Sequence, residues 1–183
     1  LGALADALSA AGRCAAAAGP GAALAAANGS GEVAFYRSDA LSAASDSSFL
    51  ARCAVTLLGA TSSTVDAVVS KVRSAAPDAV LLVVGISEID RAAAHLHVAM
   101  VRGGGFPAGR LSSASTRRTD FVQLVDVAPT ILSSLGIPVA SSMIGQLWRS
   151  NAAAGDAVQV VAHLRDLDRA ARRGGGLVAE VDG

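Results

Sequence analysis

The chain has 183 residues, of which 15 are basic and 15 acidic, so its formal net charge is zero. This length is enough for one α/β domain with its own core. The balanced charge gives no electrostatic reason to expect a nucleic-acid partner. Hydrophobic residues make up 52% of the chain and aromatic residues only 3%, so the core must be built from small aliphatic side chains. We expect a single domain over residues 1–183.

No apolar run reaches the 18 residues that a membrane-spanning helix needs, and no signal-peptide pattern is present. The chain begins at Leu1, inside a segment with the apolar spacing of a helix. We therefore expect it to be part of a longer protein, and the remainder of a membrane protein is one candidate for its partner.

Helix-like and strand-like segments alternate along the chain. Strands are predicted at residues 14–18, 32–37, 53–58, 79–84, 96–101 and 177–181. Helices are predicted at residues 1–11, 22–28, 64–75, 121–135 and 151–173. The uninterrupted apolar run at 79–84 is typical of a parallel strand that is buried on both faces. The alternation predicts a doubly wound, mainly parallel α/β sheet with helices on both faces.

Residues 112–148 form the most distinctive block of the sequence. Asp120 is the expected cap of the helix at 121–135, and Gly136 is its expected stop. Within that helix lies an Asp-x-x-Pro-Thr sequence, formed by Asp126, Pro129 and Thr130. This block resembles the C-terminal segment of the alkaline phosphatase superfamily, which includes sulfatases, phosphodiesterases and phosphoglycerate mutases.

The resemblance extends less specifically over most of the chain and implies an alkaline phosphatase-like fold whose first strand is missing or comes from elsewhere. It also implies positions for metal ligands, and these are not filled. The family's Asp and His after one strand are replaced by residues 59–63, and its Asp-His-Gly is replaced by residues 85–87. Its nucleophile and first ligand have no counterpart, and neither does its last His. We therefore predict no catalytic residue, no metal and no cofactor.

A polar cluster precedes the helix of that block. Its candidate ligand contacts are Ser115, Thr116, Arg117 and Arg118, because a guanidinium can hold phosphate or carboxylate in a bidentate manner. The alternative is that Arg117 and Arg118 pair with an acidic neighbour such as Asp120 or are solvated.

A second group of candidate ligand contacts, Ser87, Glu88 and Asp90, follows the strand at 79–84. Open α/β sheets bind ligands at such strand ends, and two carboxylates there could act as acid and base. His95 and His97 have the spacing that places both rings on one face of a strand. For the histidines, a polar end of a sheet is favoured over a metal site.

Cys14 and Cys53 each stand at the head of an apolar run. If the two runs are neighbouring parallel strands, their Cα atoms come within the 4.4–6.8 Å that a disulfide requires. The alternative is two small buried core residues. A disulfide would indicate an extracytoplasmic compartment, the cell envelope.

Together these observations favour a non-catalytic, degenerate alkaline phosphatase-like domain, outside the cytoplasm, with a binding or structural role. One alternative is a metal-dependent phosphoryl or sulfuryl ester hydrolase completed by an upstream segment. Another is a domain that binds an anionic cell-envelope polymer through Arg117 and Arg118.

Overall fold

The computed structural model describes residues 2–86, 96–152 and 156–179. The fold is mixed α/β, with small parallel and antiparallel sheets. The chain divides into two compact units. Unit 1 comprises Leu1–Ala79 and Ala128–Ile144, and unit 2 comprises Val80–Val127 and Gly145–Gly183.

Unit 1 is built on a three-stranded parallel sheet. Its strands are β1 (Ala15–Ala18), β2 (Phe35–Arg37) and β3 (Val55–Leu58), in the order β2-β1-β3. Its helices are α1 (Ala3–Ala10), α2 (Ala22–Ala26), α3 (Ala40–Ala44), α4 (Ser47–Leu50), α5 (Val65–Ala75) and, from its second residue onward, α6 (Val127–Ser134). The strands predicted at 14–18, 32–37 and 53–58 are therefore confirmed, each somewhat shorter than expected.

The core of unit 1 lies on both sides of β1, whose four alanines are buried. On one side Ala15 and Ala17 pack with the larger side chains of Leu8, Leu132 and Ile137, and on the other Ala16 and Ala18 pack with Phe49. Gly136 ends α6 with a φ of 68°, and the amide of Ile137 donates to the carbonyl of Leu132 at 2.9 Å. This is the Schellman arrangement, in which glycine readily adopts the left-handed conformation. The predicted stop at Gly136 is confirmed.

The described part of unit 2 contains two antiparallel sheets. In the first, β4 (Leu81–Val84) pairs with β5 (Ala99–Arg102). In the second, β6 (Gly109–Ser113) lies between β7 (Arg118–Thr119) and β8 (Trp148–Ala152). A 3-10 turn at Leu124–Asp126 and the long helix α7 (Ala157–Ala179) complete the described part of this unit.

Three predictions for the chain from residue 79 onward are wrong. Within the run at 79–84, Leu81–Val84 form a half-buried strand that is antiparallel instead of parallel, because they pair with β5, which runs in the opposite direction. The helix predicted from residue 121 begins at Val127, after the 3-10 turn. The strand predicted at 177–181 is wrong for residues 177–179, because α7 continues through them; residues 180 and 181 lie outside the described part of the chain. No helix in the described part of either unit is long and apolar enough to cross a membrane.

Candidate functional site

Asp126 is the buried centre of the block at residues 112–148. Its side chain has no exposed surface. Its carboxylate accepts hydrogen bonds from the hydroxyls of Ser113 and Ser115, at 2.7 and 2.6 Å. It also accepts from the backbone amides of Gln123 and Gln146, at 2.9 and 2.8 Å. One carboxylate thus joins the end of β6, the turn after it, the start of the 3-10 turn and the segment before β8.

These contacts determine the charge of Asp126. Burial by itself raises the pKa of its carboxyl group, because it disfavours the ionised form. The hydrogen bonds, of which that from Ser115 has the largest effect, lower it by more, so the pKa lies below its ordinary value of 3.8. Asp126 is therefore a charged structural group at neutral pH, and it fixes the neighbouring turn.

That turn connects β6 and β7. Ser113 pairs with Arg118 across the hairpin, and the carbonyl of Ser113 accepts from the amides of Thr116 and Arg117, at 3.3 and 3.1 Å. The Thr116 hydroxyl donates to the carbonyl of Phe121 at 2.7 Å. Of the predicted contacts, Ser115 and Thr116 therefore hold the turn together, because their hydroxyls already have partners inside the protein.

Arg117 and Arg118 are the outward-facing residues of the hairpin. Both are exposed, and within the described residues neither forms an ion pair. The Arg118 guanidinium lies 5.0 Å from the centre of the Phe121 ring. Arg117 has a φ of 55°, in the left-handed region that costs most side chains about 1 kcal/mol. A long cationic side chain is thus held at a backbone position where the fold alone would favour glycine or asparagine.

Asp120 is not the expected helix cap, and it does not pair with Arg117 or Arg118. Its φ is 75°, and its side chain, only 4% exposed, forms a bidentate ion pair with Arg110 on β6. His163 on α7 completes this cluster. Its Nε2 lies 2.9 Å from an Arg110 nitrogen and 3.2 Å from a carboxylate oxygen of Asp120.

Sequence reasoning missed this cluster for a physical reason. Asp120 and His163 are 43 residues apart, and the pairing of β6 and β8 that precedes α7 has no local sequence signal.

The carboxyl end of the parallel sheet in unit 1 is closed by backbone contact. A Cβ atom on Gly59, directly after β3, would overlap the carbonyl oxygen of Pro20. The amide of Gly59 donates to the carbonyl of Ala18 at 2.7 Å. Gly59 is the position at which the resembled family has its aspartate ligand, and there is no space for a side chain there.

The hydroxyls that follow Gly59 bind one another. The Thr61 hydroxyl lies 2.9 Å from that of Ser63 and 3.1 Å from that of Thr64, whose oxygen also accepts from the amide of Thr61. Thr64 precedes α5, but its side chain makes no capping hydrogen bond to that helix. Ser63 stands where the resembled family has a histidine, and its hydroxyl is part of this local network.

The other predicted contacts, Ser87, Glu88 and Asp90, lie outside the described residues, as does His95. His97 is described and lies beside Gly85. Within residues 2–86, 96–152 and 156–179, no group of three or more His, Cys, Asp or Glu side chains is arranged to hold a metal ion.

A disulfide joins Cys14, immediately before β1, to Cys53, two residues before β3. Their Cα atoms are 4.9 Å apart. Because β1 and β3 are adjacent and parallel, the two cysteines lie at matching strand ends, and the bridge ties the two strands together at the start.

Comparison of the chain with protein-family models, with curated proteins and with solved structures finds no match. The family resemblance therefore rests on the residues of the sequence itself.

Proposed function

We propose that this chain is a non-catalytic domain of alkaline phosphatase-like descent that acts outside the cytoplasm and binds an anionic polymer of the cell envelope. The fold proposed with it is the doubly wound scaffold of that superfamily, and the three-stranded parallel sheet of unit 1 supports this part of the proposal. The single observation that carries the proposal is the hairpin between β6 and β7, where Asp126 fixes a turn whose exposed residues include Arg117 and Arg118.

The non-catalytic part of the proposal is supported at the end of β3. Zinc sites of hydrolases need carboxylates and imidazoles that converge on one point. At Gly59 the backbone of Pro20 occupies the space that a ligand side chain would need. The hydroxyls of Thr61, Ser63 and Thr64 form hydrogen bonds with one another. A carboxylate at Gly59 would require the loop after β1 to move.

The binding part is supported by the charge and the strain at the hairpin. Backbone strain is retained in proteins where the surroundings enforce it, often at functional sites. The amide of Arg117 donates to the carbonyl of Ser113, and the hydroxyl of Ser113 in turn donates to the carboxylate of Asp126. The result is an exposed pair of guanidiniums that no described carboxylate neutralises, and guanidiniums suit sulfate and phosphate groups.

The extracytoplasmic part is supported by the disulfide between Cys14 and Cys53, because such bonds persist in oxidising compartments. Mass spectrometry of the protein under non-reducing conditions tests it. Protein made under oxidising conditions should carry no free thiol. Two free thiols in that preparation would remove this support.

Binding is tested by isothermal titration of the whole chain with dextran sulfate, with neutral dextran as the uncharged control. The double variant R117Q/R118Q should weaken dextran sulfate binding by about tenfold or more, since each lost contact removes a charge-assisted hydrogen bond. R73Q is the matched control, because Arg73 is an exposed arginine of α5 that is far from the hairpin in sequence. Unchanged binding in R117Q/R118Q would overturn the proposal.

The catalytic alternative is tested on the same protein by metal analysis and by hydrolysis of p-nitrophenyl phosphate and of a bis-phosphate ester. We expect no bound zinc and no turnover. One zinc ion per chain together with turnover would contradict the non-catalytic assignment.

A further inference from the structure

The three-stranded sheet β7-β6-β8 has one buried face. Ser113 of β6 and Trp148 of β8 are paired, and both side chains are buried. The hydroxyl of Ser113 donates to Asp126 on this side. Because side chains alternate along a strand, the residues next to Ser113 and Trp148 belong to the opposite face of the sheet.

That opposite face is polar. Ser112 on β6 pairs with Thr119 on β7 and with Arg149 on β8, so these three side chains form one row across the sheet. Two residues along the strands, Arg110 pairs with Asn151, so both belong to the same face. We call the set Ser112, Thr119, Arg149 and Asn151 the polar row.

The polar row is open to solvent. Thr119, Arg149 and Asn151 are exposed, and Ser112 is half-buried. The amide nitrogen of Asn151 donates to the hydroxyl oxygen of Ser112 at 2.7 Å. Because that oxygen accepts from Asn151, the proton of the Ser112 hydroxyl is available to an acceptor outside the protein.

The charge of this face is positive. Arg149 forms no ion pair with any described residue. The charge of Arg110, at one end of the face, is neutralised by its ion pair with the buried carboxylate of Asp120. The polar row therefore offers one unpaired guanidinium and neighbouring hydroxyl donors on strands about 5 Å apart. Sulfate and phosphate esters accept several such hydrogen bonds at once.

We propose that the polar row is the binding surface for the sulfate or phosphate groups of an anionic polymer, with Arg149 as the principal contact. This inference rests on the proposed function and names a second contact surface for it, on the same sheet as the Arg117–Arg118 hairpin. The chemistry shared by the two possible ligands is a tetrahedral oxyanion repeated along a flexible chain. Arg118 pairs with Ser113 and therefore belongs to the other face of the sheet, so the polar row and Arg118 would contact separate segments of the polymer.

The test is isothermal titration of the whole chain and its variants with two probes, dextran sulfate and inorganic polyphosphate. R149Q should weaken binding of at least one probe by about fivefold or more, and R149K should restore part of the loss because it keeps the charge but not the bidentate fork. R73Q should bind as the unsubstituted chain does. A larger effect on one probe identifies the oxyanion as sulfate or phosphate.

The outcomes separate this inference from the proposed function. If R149Q binds both probes normally while R117Q/R118Q does not, the polar row is wrong and the hairpin stands. If R149Q loses affinity while R117Q/R118Q binds normally, the polar row stands and the hairpin is wrong. Failure of the unsubstituted chain to bind either probe contradicts both. Circular dichroism of each variant excludes loss of fold as the cause.

Discussion

The hydroxyl of Ser115 donates a hydrogen bond of 2.6 Å to the buried carboxylate of Asp126. This bond joins the Asp-x-x-Pro-Thr sequence to the turn that carries the two exposed arginines. The most recognisable part of the sequence therefore has a structural role in this chain, because its aspartate organises a hairpin and a 3-10 turn.

Replacement of Asp126 by Asn should destabilise the protein by about 3 kcal/mol or more. The carboxylate accepts hydrogen bonds from two hydroxyls and two backbone amides, and an amide side chain would direct its own N–H groups at some of these donors. Urea unfolding followed by fluorescence of Trp148, the single tryptophan, measures the change. D39N is the control, because Asn replaces Asp at a helix N-cap with little loss. Equal midpoints for D126N and the unsubstituted chain would refute the assigned role.

Stability should decrease below about pH 4 in a way that depends on Asp126. Its pKa in the folded protein is below the ordinary value of 3.8, so the folded state binds this proton less readily than the unfolded state does. Its stabilising effect is therefore complete above the ordinary pKa and is lost as the pH falls toward the folded value. Unfolding midpoints measured from pH 6 downward should fall less steeply for D126N. Parallel curves for the two proteins would show that Asp126 is not the cause.

Asp46 should contribute to the same acid sensitivity in unit 1. The hydroxyl of Ser48, the amide of Phe49 and the guanidinium of Arg37 all donate to its carboxylate and hold its pKa well below the usual range. The pH dependence of stability has the same direction as for Asp126, because the pKa of Asp46 is also lowered in the folded protein: its stabilising effect is lost as the pH falls. D46N should reduce the acid sensitivity of amide exchange in α4, which Asp46 caps. An unchanged exchange profile would count against this assignment.

Replacement of Arg117 by Gly should leave the protein as stable as before, or stabilise it by up to about 1 kcal/mol. Glycine adopts a φ of 55° without the steric cost that arginine carries. The same change should weaken binding of dextran sulfate. R117V provides the contrast, because a β-branched residue is strained at this φ and should destabilise by about 1–2 kcal/mol. Thermal unfolding and titration on one preparation measure both effects, and a large loss of stability in R117G would contradict the geometry of the turn.

Replacement of Gly59 by Asp should destabilise the protein by about 3 kcal/mol, because the new side chain overlaps the carbonyl of Pro20. A60D is the matched control, since Ala60 is the next residue and is exposed. It should change stability by less than about 0.5 kcal/mol. If G59D folds as stably as A60D, the end of β3 has room for the side chain of a metal ligand, which would contradict the closed geometry at Gly59.

Local patterns predicted the strands of unit 1 well, whereas in unit 2 they located β4, β5 and α7 but missed β6, β7 and β8. Short apolar runs and the Gly136 stop depend on neighbouring residues, so β1, β3 and the end of α6 were correctly placed. The pairing of β6 with β8 depends on contacts across about 40 residues, which periodicity cannot reveal. The sequence showed that Arg117 and Arg118 were unusual. For the same reason it did not show that Asp126 accepts hydrogen bonds from the turn that carries them, or that Asp120 forms an ion pair with Arg110.

The most direct test of the central claim is a nuclear magnetic resonance titration of the ¹⁵N-labelled chain with a short dextran sulfate oligosaccharide. Chemical shift changes should be concentrated at residues 112–119 and at Arg149, and they should disappear in the presence of high salt because the contacts are ionic. Residues 59–64 should keep their shifts when zinc is added. Changes at residues 59–64 with either ligand, and none in the hairpin, would contradict the account of this chain as a non-catalytic anion-binding domain.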